Sequence, residues 1–197
     1  TERVLAGIRA AEEMGLRPLK INAVVQRGVN DHTIVYLARH FRGTGHILRF
    51  IEFMDVGTIN GWKMEQVVPA AEVVRRINEA FPIEPIDRSY RGEVASRYRY
   101  VDGSGEIGII SSVTEPFCGD CVRSRLSPNG RVFTCLFAAN GYDIRGPLRA
   151  GESDAVLEAR LRRLWGLRTD RYSEERFELM KASATPRKKI EMFQIGG

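Results

Sequence analysis

Cysteine is scarce in this chain. Cys118, Cys121 and Cys135 are the only three in 197 residues. An odd number cannot pair completely, and two of them lie three positions apart. That argues against a secreted disulfide scaffold and for a reducing compartment. No apolar run reaches the twenty residues of a membrane span, and no charged-then-apolar leader opens the chain. A soluble, cytoplasmic chain without a secretory signal is therefore expected. Neither sign of charge dominates: Lys+Arg 30 against Asp+Glu 25 gives a formal charge of +5. The basic residues are scattered rather than packed into one arm, so charge alone does not point to a nucleic-acid partner. No internal repeat or low-complexity stretch stands out. A starting Met is also missing. The chain opens at Thr1 directly into a helical pattern, and it is expected to be a piece of something larger.

What is present suffices for a folded core. At 197 residues and 43% apolar content, the chain is long enough for one domain or two small ones. Val4, Ile8 and Ala11 share a helical face that ends at Gly15. A strand follows over 19–25, with Leu19, Ile21, Ala23 and Val25 on one face and Lys20 and Asn22 on the other. Asn30 or Asp31 is placed to cap a second helix carrying Ile34, Leu37, Ala38 and Phe41. The nearly all-apolar stretch 47–54 reads as a strand buried on both faces. Pro69 suits the first turn of a third helix, and a short strand occupies 83–86. This alternation is the rhythm of a parallel α/β sheet or barrel. It breaks after Asp87. Residues 97–101 and 106–110 flank Asp102-Gly103-Ser104-Gly105, a hairpin signal. A last amphipathic helix is expected over 154–165, followed by a basic, irregular tail ending in Gly196-Gly197. The organisational boundary is placed near residue 90.

The three cysteines form C-x2-C-x13-C. Ser127-Pro128-Asn129-Gly130 is a compact turn, and a hairpin folded on it brings Cys135 opposite residues 122–124. Cys118 and Cys121 then lie near Cys135, with Gly119 allowing the tight turn between them. Three thiolates are one short of closing a zinc site or saturating a four-iron cluster. Zinc is poorly served, because His32, His40 and His46 all lie far upstream and only Asp120 is in the loop itself. Plain thiols or a redox pair are the bland readings of the same residues. Arg123 and Arg125 alternate on a strand, so both guanidinium groups can meet a phosphate chain beside the thiolates. In isolation they read as solvated surface arginines.

Several segments resemble the GTP 3′,8-cyclase family (molybdenum cofactor biosynthesis protein A) of the radical S-adenosylmethionine superfamily. They are residues 20–25 with Arg27-Gly28-Val29-Asn30-Asp31, residues 49–54, residues 117–125, and Ile195-Gly196-Gly197. The resemblance implies an α/β fold: the last β/α units of an incomplete TIM-type barrel (1–90), followed by a smaller α+β iron–sulfur domain (91–197). It implies Cys118, Cys121 and Cys135 as ligands of an auxiliary 4Fe-4S cluster that binds GTP at its open iron. Arg123, Ser124, Arg125 and Lys20 are implied as GTP contacts, and Met54 as a contact to S-adenosylmethionine. Gly196 and Gly197 are implied to be catalytic, as a tail entering the active site.

Arg49 is a further candidate, although it has the opposite strand parity to Glu52 and Met54. In the family, an N-terminal Cys-x3-Cys-x2-Cys holds a second 4Fe-4S cluster that makes a deoxyadenosyl radical from S-adenosylmethionine. That radical removes the 3′ hydrogen of GTP, and the sugar carbon then attacks C8 of guanine. No Cys-x3-Cys-x2-Cys occurs here. This chain alone is therefore expected to be inactive, as the C-terminal portion of a lyase of molybdenum cofactor biosynthesis. The implied partners are GTP, an electron donor, the next enzyme of the molybdopterin pathway and a second copy in a homodimer, with no nucleic acid and no membrane. Two competing readings are a zinc-stabilised, basic nucleic-acid-binding module and the auxiliary-cluster part of a peptide-modifying radical enzyme.

Overall fold

The computed structural model describes residues 1–182 and 190–195. It divides into two compact units, Thr1–Met54 with Lys63–Pro116, and Asp55–Trp62 with Phe117–Gly197.

The first unit is a five-stranded mixed sheet with helices. Its elements are α1 (Glu2–Glu13), β1 (Lys20–Val25), α2 (Ile34–Phe41), β2 (Ile47–Glu52), α3 (Ala70–Ala80), β3 (Ile83–Ile86), β4 (Ser96–Tyr100) and β5 (Glu106–Ile110). The strand order is β1-β2-β5-β4-β3. β1 pairs parallel with β2, and β2 pairs parallel with β5. β4 runs antiparallel to both β5 and β3. The sequence rhythm predicts β3 as the next parallel strand, and its direction is indeed that of β1 and β2. Its neighbour is β4, however, because the hairpin at 101–105 folds β5 back into the place beside β2. That turn is made by Gly103 (φ 76°) and by Asp102, whose carboxylate accepts the Ser104 N–H at 3.0 Å.

One face of this sheet builds the core. Leu48, Phe50, Ile107 and Ile109 lie under Ile34, Ala38 and Phe41 of α2 and Ala70, Val73 and Ile77 of α3. Leu5 and Ile8 of α1 pack against it, whereas Val4 is exposed, so the buried stripe of α1 is rotated from the one expected. Asn30 and Asp31 do not cap α2. Asn30 accepts the Gln26 N–H and Asp31 accepts the Gly28 N–H, both at 2.8 Å. Their short side chains stabilise the preceding turn instead, a local competition that Asn and Asp commonly enter.

Glu52 is a buried carboxylate at the end of β2. It accepts N–H bonds from Ala70 (2.8 Å), Val113 (2.7 Å) and Thr114 (2.9 Å), together with the Thr114 hydroxyl. One side chain thus satisfies the first amide of α3 and the loop after β5, groups whose burial unpaired would be costly.

The sheet runs through residue 90, where the sequence suggests a boundary. By packing, residues 91–116 go with the first unit and residues 55–62 with the second.

The second unit has a small antiparallel sheet, β6 (Arg125–Leu126), β7 (Arg131–Phe133) and β8 (Tyr142–Asp143), in that order. Three helices follow: α4 (Arg145–Arg149), α5 (Asp154–Gly166) and α6 (Tyr172–Ala182). The irregular tail expected after residue 165 is thus corrected. Residues 172–182 are rich in Glu, Leu, Met, Lys and Ala, which favour helix, and Arg176 and Tyr172 are buried on one side of it. Arg176 is paired with Asp55 at 2.9 Å and lies over the Phe137 and Tyr172 rings, and Tyr172 donates its hydroxyl to Asp55 at 2.6 Å. Gly57 adopts φ 67°, a conformation that favours glycine, and a Cβ there would meet the Glu191 carboxylate at the movable end of its side chain. That carboxylate accepts the Thr58 N–H at 2.7 Å and its hydroxyl at 2.8 Å.

Candidate functional site

The cysteine region begins with one 3-10 turn over Cys118–Asp120, closed by the Cys121 N–H donating to the Cys118 carbonyl at 3.2 Å. Gly119 is not left-handed, and a Cβ there would meet nothing closer than 4.0 Å. The turn therefore does not depend on glycine, contrary to the sequence expectation. The hairpin turn 127–130 does form. Gly130 has φ 76°, and the Ser127 hydroxyl accepts the Arg131 N–H at 3.0 Å. The ladder pairs Arg125 with Phe133, and counted on in the same register it sets Cys135 level with Arg123. That is within the 122–124 range expected.

All three cysteines are free and half-buried. The Arg123 Nε and Nη2 each donate to the Cys121 sulfur at 3.4 Å, and its guanidinium lies 5.1 Å from the centre of the Phe117 ring. Burial pushes the Cys121 thiol up, but the Arg123 amide and guanidinium outweigh it, and the thiol sits below its ordinary value. Cys135 accepts the Phe137 N–H at 3.4 Å. Burial, then the nearby Asp170 and Cys118, hold its thiol above the ordinary value. Arg125 is pulled down by burial and by the like charge of Arg123, while Cys121 and Cys135 pull it the other way. Two half-buried guanidinium groups that repel each other are an arrangement an anion relieves.

Ser124 has the opposite parity. It lines a separate cleft of about 440 Å³ with Val132, Thr134, Leu161 and Trp165. The structure thus sets Arg123 on the Cys121 sulfur and Arg125 within the influence of Cys121 and Cys135.

The donor set can be matched to a metal group. Among the described residues, no three His, Cys, Asp or Glu side chains are grouped to hold a metal ion. A single zinc requires all ligands to converge on one point at about 2.0–2.3 Å. A four-iron cluster does not, since each thiolate takes a different iron. Cys118 acts on Cys135, and Cys121 and Cys135 both act on Arg125; neighbours of this kind can serve a group that gives each thiolate its own iron.

In the first unit, Lys20 and Asn22 lie exposed on β1, and Arg49 on β2 is level with Asn22. The Arg49 Nε donates to the Asn22 side-chain oxygen at 2.8 Å, so Arg49 shares the polar face of Lys20. Its parity conflict with Glu52 resolves because Glu52 faces the α3 side. Gly108 on β5 is level with Arg49, and a Cβ there would press on Arg49 Cγ at 2.9 Å. An isolated Gly within a strand pattern is the one sequence signal that points to this close approach. Met54 is half-buried just past the end of β2, whereas Lys20 opens β1 level with Ile47. At about 3.3 Å per residue they are separated by on the order of 20 Å along the strands. Gly196 and Gly197 lie outside the described residues.

The Molybdenum Cofactor Synthesis C family matches residues 46–174, which include all three cysteines and both arginines. The chain belongs to this family. It is 52% identical over 196 residues to a GTP 3′,8-cyclase of Xanthomonas campestris pv. campestris (strain 8004), covering all of this chain and 56% of that protein. It is 48% identical over 217 residues to a GTP 3′,8-cyclase of Acidothermus cellulolyticus, covering 100% of this chain and 60% of that protein. A GTP 3′,8-cyclase of Synechococcus sp. (strain CC9605) is 49% identical over 199 residues, with 99% and 55% covered. The chain spans about half the length of the curated relatives it matches. No helix among the described residues is long and apolar enough to cross a membrane.

Proposed function

We propose that this chain is the substrate-binding C-terminal part of a GTP 3′,8-cyclase, a lyase of molybdenum cofactor biosynthesis that forms (8S)-3′,8-cyclo-7,8-dihydroguanosine 5′-triphosphate. The observation that carries it is the Arg123 guanidinium donating to the Cys121 sulfur, on a hairpin whose register sets Cys135 level with Arg123. Cys118, Cys121 and Cys135 would hold an auxiliary 4Fe-4S cluster. Bound there, the cluster supplies one iron without a protein ligand, a Lewis-acid position for the guanine.

The residues of the chain do the positioning. Arg123 and Arg125, with Ser124 between them, take the triphosphate through bidentate, permanently charged donors. Lys20 is read as a further GTP contact, and Arg49 lies on the same face of its sheet. Met54 contacts S-adenosylmethionine, and the terminal Gly196 and Gly197 enter the active site. Fixing GTP in one orientation is where much of the barrier is removed. Residues 1–90 read as the last units of an incomplete TIM-type barrel, with 91–116 packed into the same unit, and 117–197 read as the auxiliary-cluster and GTP-binding part.

With no Cys-x3-Cys-x2-Cys in these 197 residues, the chain alone lacks a radical source and does not cyclise GTP. An electron donor, the next enzyme of the pathway and a homodimeric partner belong to the whole protein, which works without nucleic acid or membrane.

The test is anaerobic reconstitution of the chain with iron and sulfide, elemental analysis, and titration with GTP. Close to four irons and four sulfides per chain, with a cluster spectrum that GTP perturbs, is the expected result. Stoichiometric zinc without iron, or a spectrum indifferent to GTP, overturns the reading.

A further inference from the structure

Neither Arg168 nor Asp170 belongs to the cysteine motif or to the hairpin, yet both reach into it from the segment after α5. The Arg168 Nη1 donates to the carbonyl of Cys121. Its Nε is 3.3 Å from the Asp170 carboxylate, and Asp170 in turn accepts the Thr134 hydroxyl at 2.6 Å. Thr134 precedes Cys135. A single ion pair therefore bridges the two parts of the centre, Cys121 at one end and the residue beside Cys135 at the other. The guanidinium lies 4.9 Å from the centre of the Trp165 ring, and only 12% of the Arg168 side chain is exposed. Its charge acts on both Cys121 and Cys135.

We propose that Arg168 is a positioning residue of the three-thiol centre. With Asp170 it fixes the Cys118–Cys121 turn against the Cys135 strand, and under the Trp165 ring it sets a poorly screened positive charge beside the thiolates. The proposal rests on the cluster reading above and goes beyond it, because it assigns residues that touch neither the metal group nor GTP.

Two consequences separate it from a merely structural role. A positive charge in a low-dielectric setting favours the more negative, reduced state of a neighbouring cluster, and a carboxylate there disfavours it. Arg168→Gln therefore shifts the reduction potential to more negative values, and Asp170→Asn shifts it to more positive ones. A residue that only supports the fold moves neither in opposite directions. Outer partners of metal ligands also hold the metal in place, and their loss typically costs about 10-fold to 100-fold in retention.

The experiment uses the full chain, reconstituted anaerobically with iron and sulfide, in wild-type, Arg168→Gln, Arg168→Lys, Asp170→Asn and Trp165→Phe forms. Iron release to a chelator and the potential from a redox titration are read for each. Arg168→Gln is expected to release iron roughly 10-fold faster or more, with a lowered potential. Arg168→Lys keeps the charge and should restore the potential more than the retention. Trp165→Phe keeps an aromatic face for the guanidinium and should stay close to wild type. A wild type that loads iron beside an Arg168→Gln variant with the same retention and potential overturns the clamp alone. Equal-signed shifts for Arg168→Gln and Asp170→Asn overturn its electrostatic part. A wild type that takes up no iron overturns the cluster reading, and the clamp falls with it.

Discussion

The two units of this chain are held together by different means. In the first, valine, isoleucine and phenylalanine side chains from one sheet face and two helices close a continuous core. In the second, the buried apolar side chains among the described residues are Phe133, Phe137, Tyr172 and Ile195. Much of the remaining cohesion is polar: Arg176 with Asp55, Arg168 with the Cys121 carbonyl, Asp170 with Thr134, Glu191 with Thr58. Guanidinium groups lie over aromatic rings where an aliphatic core would otherwise sit. With so small an apolar core, the proposed cluster at its cysteines would supply a larger share of this unit's stability, as in small metal-stapled domains.

The largest effect should come from removing that group. Stripping iron from the reconstituted chain is expected to expose residues 117–182 to protease while residues 63–116 stay protected. Equal protection of both would show that the second unit does not rely on its metal. Next is Arg176→Met, which leaves the Asp55 carboxylate buried without its cation and should cost about 3–5 kcal/mol. Both tryptophans, Trp62 and Trp165, fall in the second unit, so the loss is read there by their fluorescence in urea. An aliphatic swap tests the other side. Ile77→Ala empties a fully buried site in α3 and should cost about 2–5 kcal/mol, seen in the far-ultraviolet circular dichroism of the first unit. Glu52→Gln exchanges an acceptor for a donor facing buried amides, at about 1–3 kcal/mol, measured in the same way.

The smallest effect is at Glu72. Its hydrogen bond from Arg27 at 2.7 Å, helped by Arg76, holds the carboxyl below its ordinary value although burial pushes it up. A depressed folded-state value means that stabilisation is present above the ordinary carboxylate range and is lost as pH falls through the depressed value. Glu72→Gln should therefore cost about 0.2–1 kcal/mol at neutral pH. The difference should vanish in acid; a cost that persists there would assign the residue a packing role.

Most of the first unit was legible in the chain, because alternating and 3.6-residue apolar patterns are local. The strand over 20–25, the helix begun near Pro69 and the hairpin at 102–105 all lie where their residues suggest. The place of β5 between β2 and β4 was not legible, since strand order depends on contacts that no local pattern encodes. Asn30 and Asp31 misled for a related reason: two nearby structures compete for the same side chains. In the second unit, the turn 127–130 and the register toward Cys135 were legible from turn chemistry. Arg168, Asp170 and Arg176 were not, because a buried arginine has the same sequence signature as a solvated one.

By itself, the sequence determined the composition of the centre: three thiols, two arginines at alternating positions and a turn able to bring them together. These are properties of residue type and spacing. Tertiary structure alone decided that Ser124 lines a cleft with residues of α5, that Arg49 shares the face of Lys20 over Gly108, and that an ion pair from beyond α5 bridges the two cysteine segments. Each of those depends on which distant groups are packed alongside, and partners far apart in the chain leave no periodic trace in it.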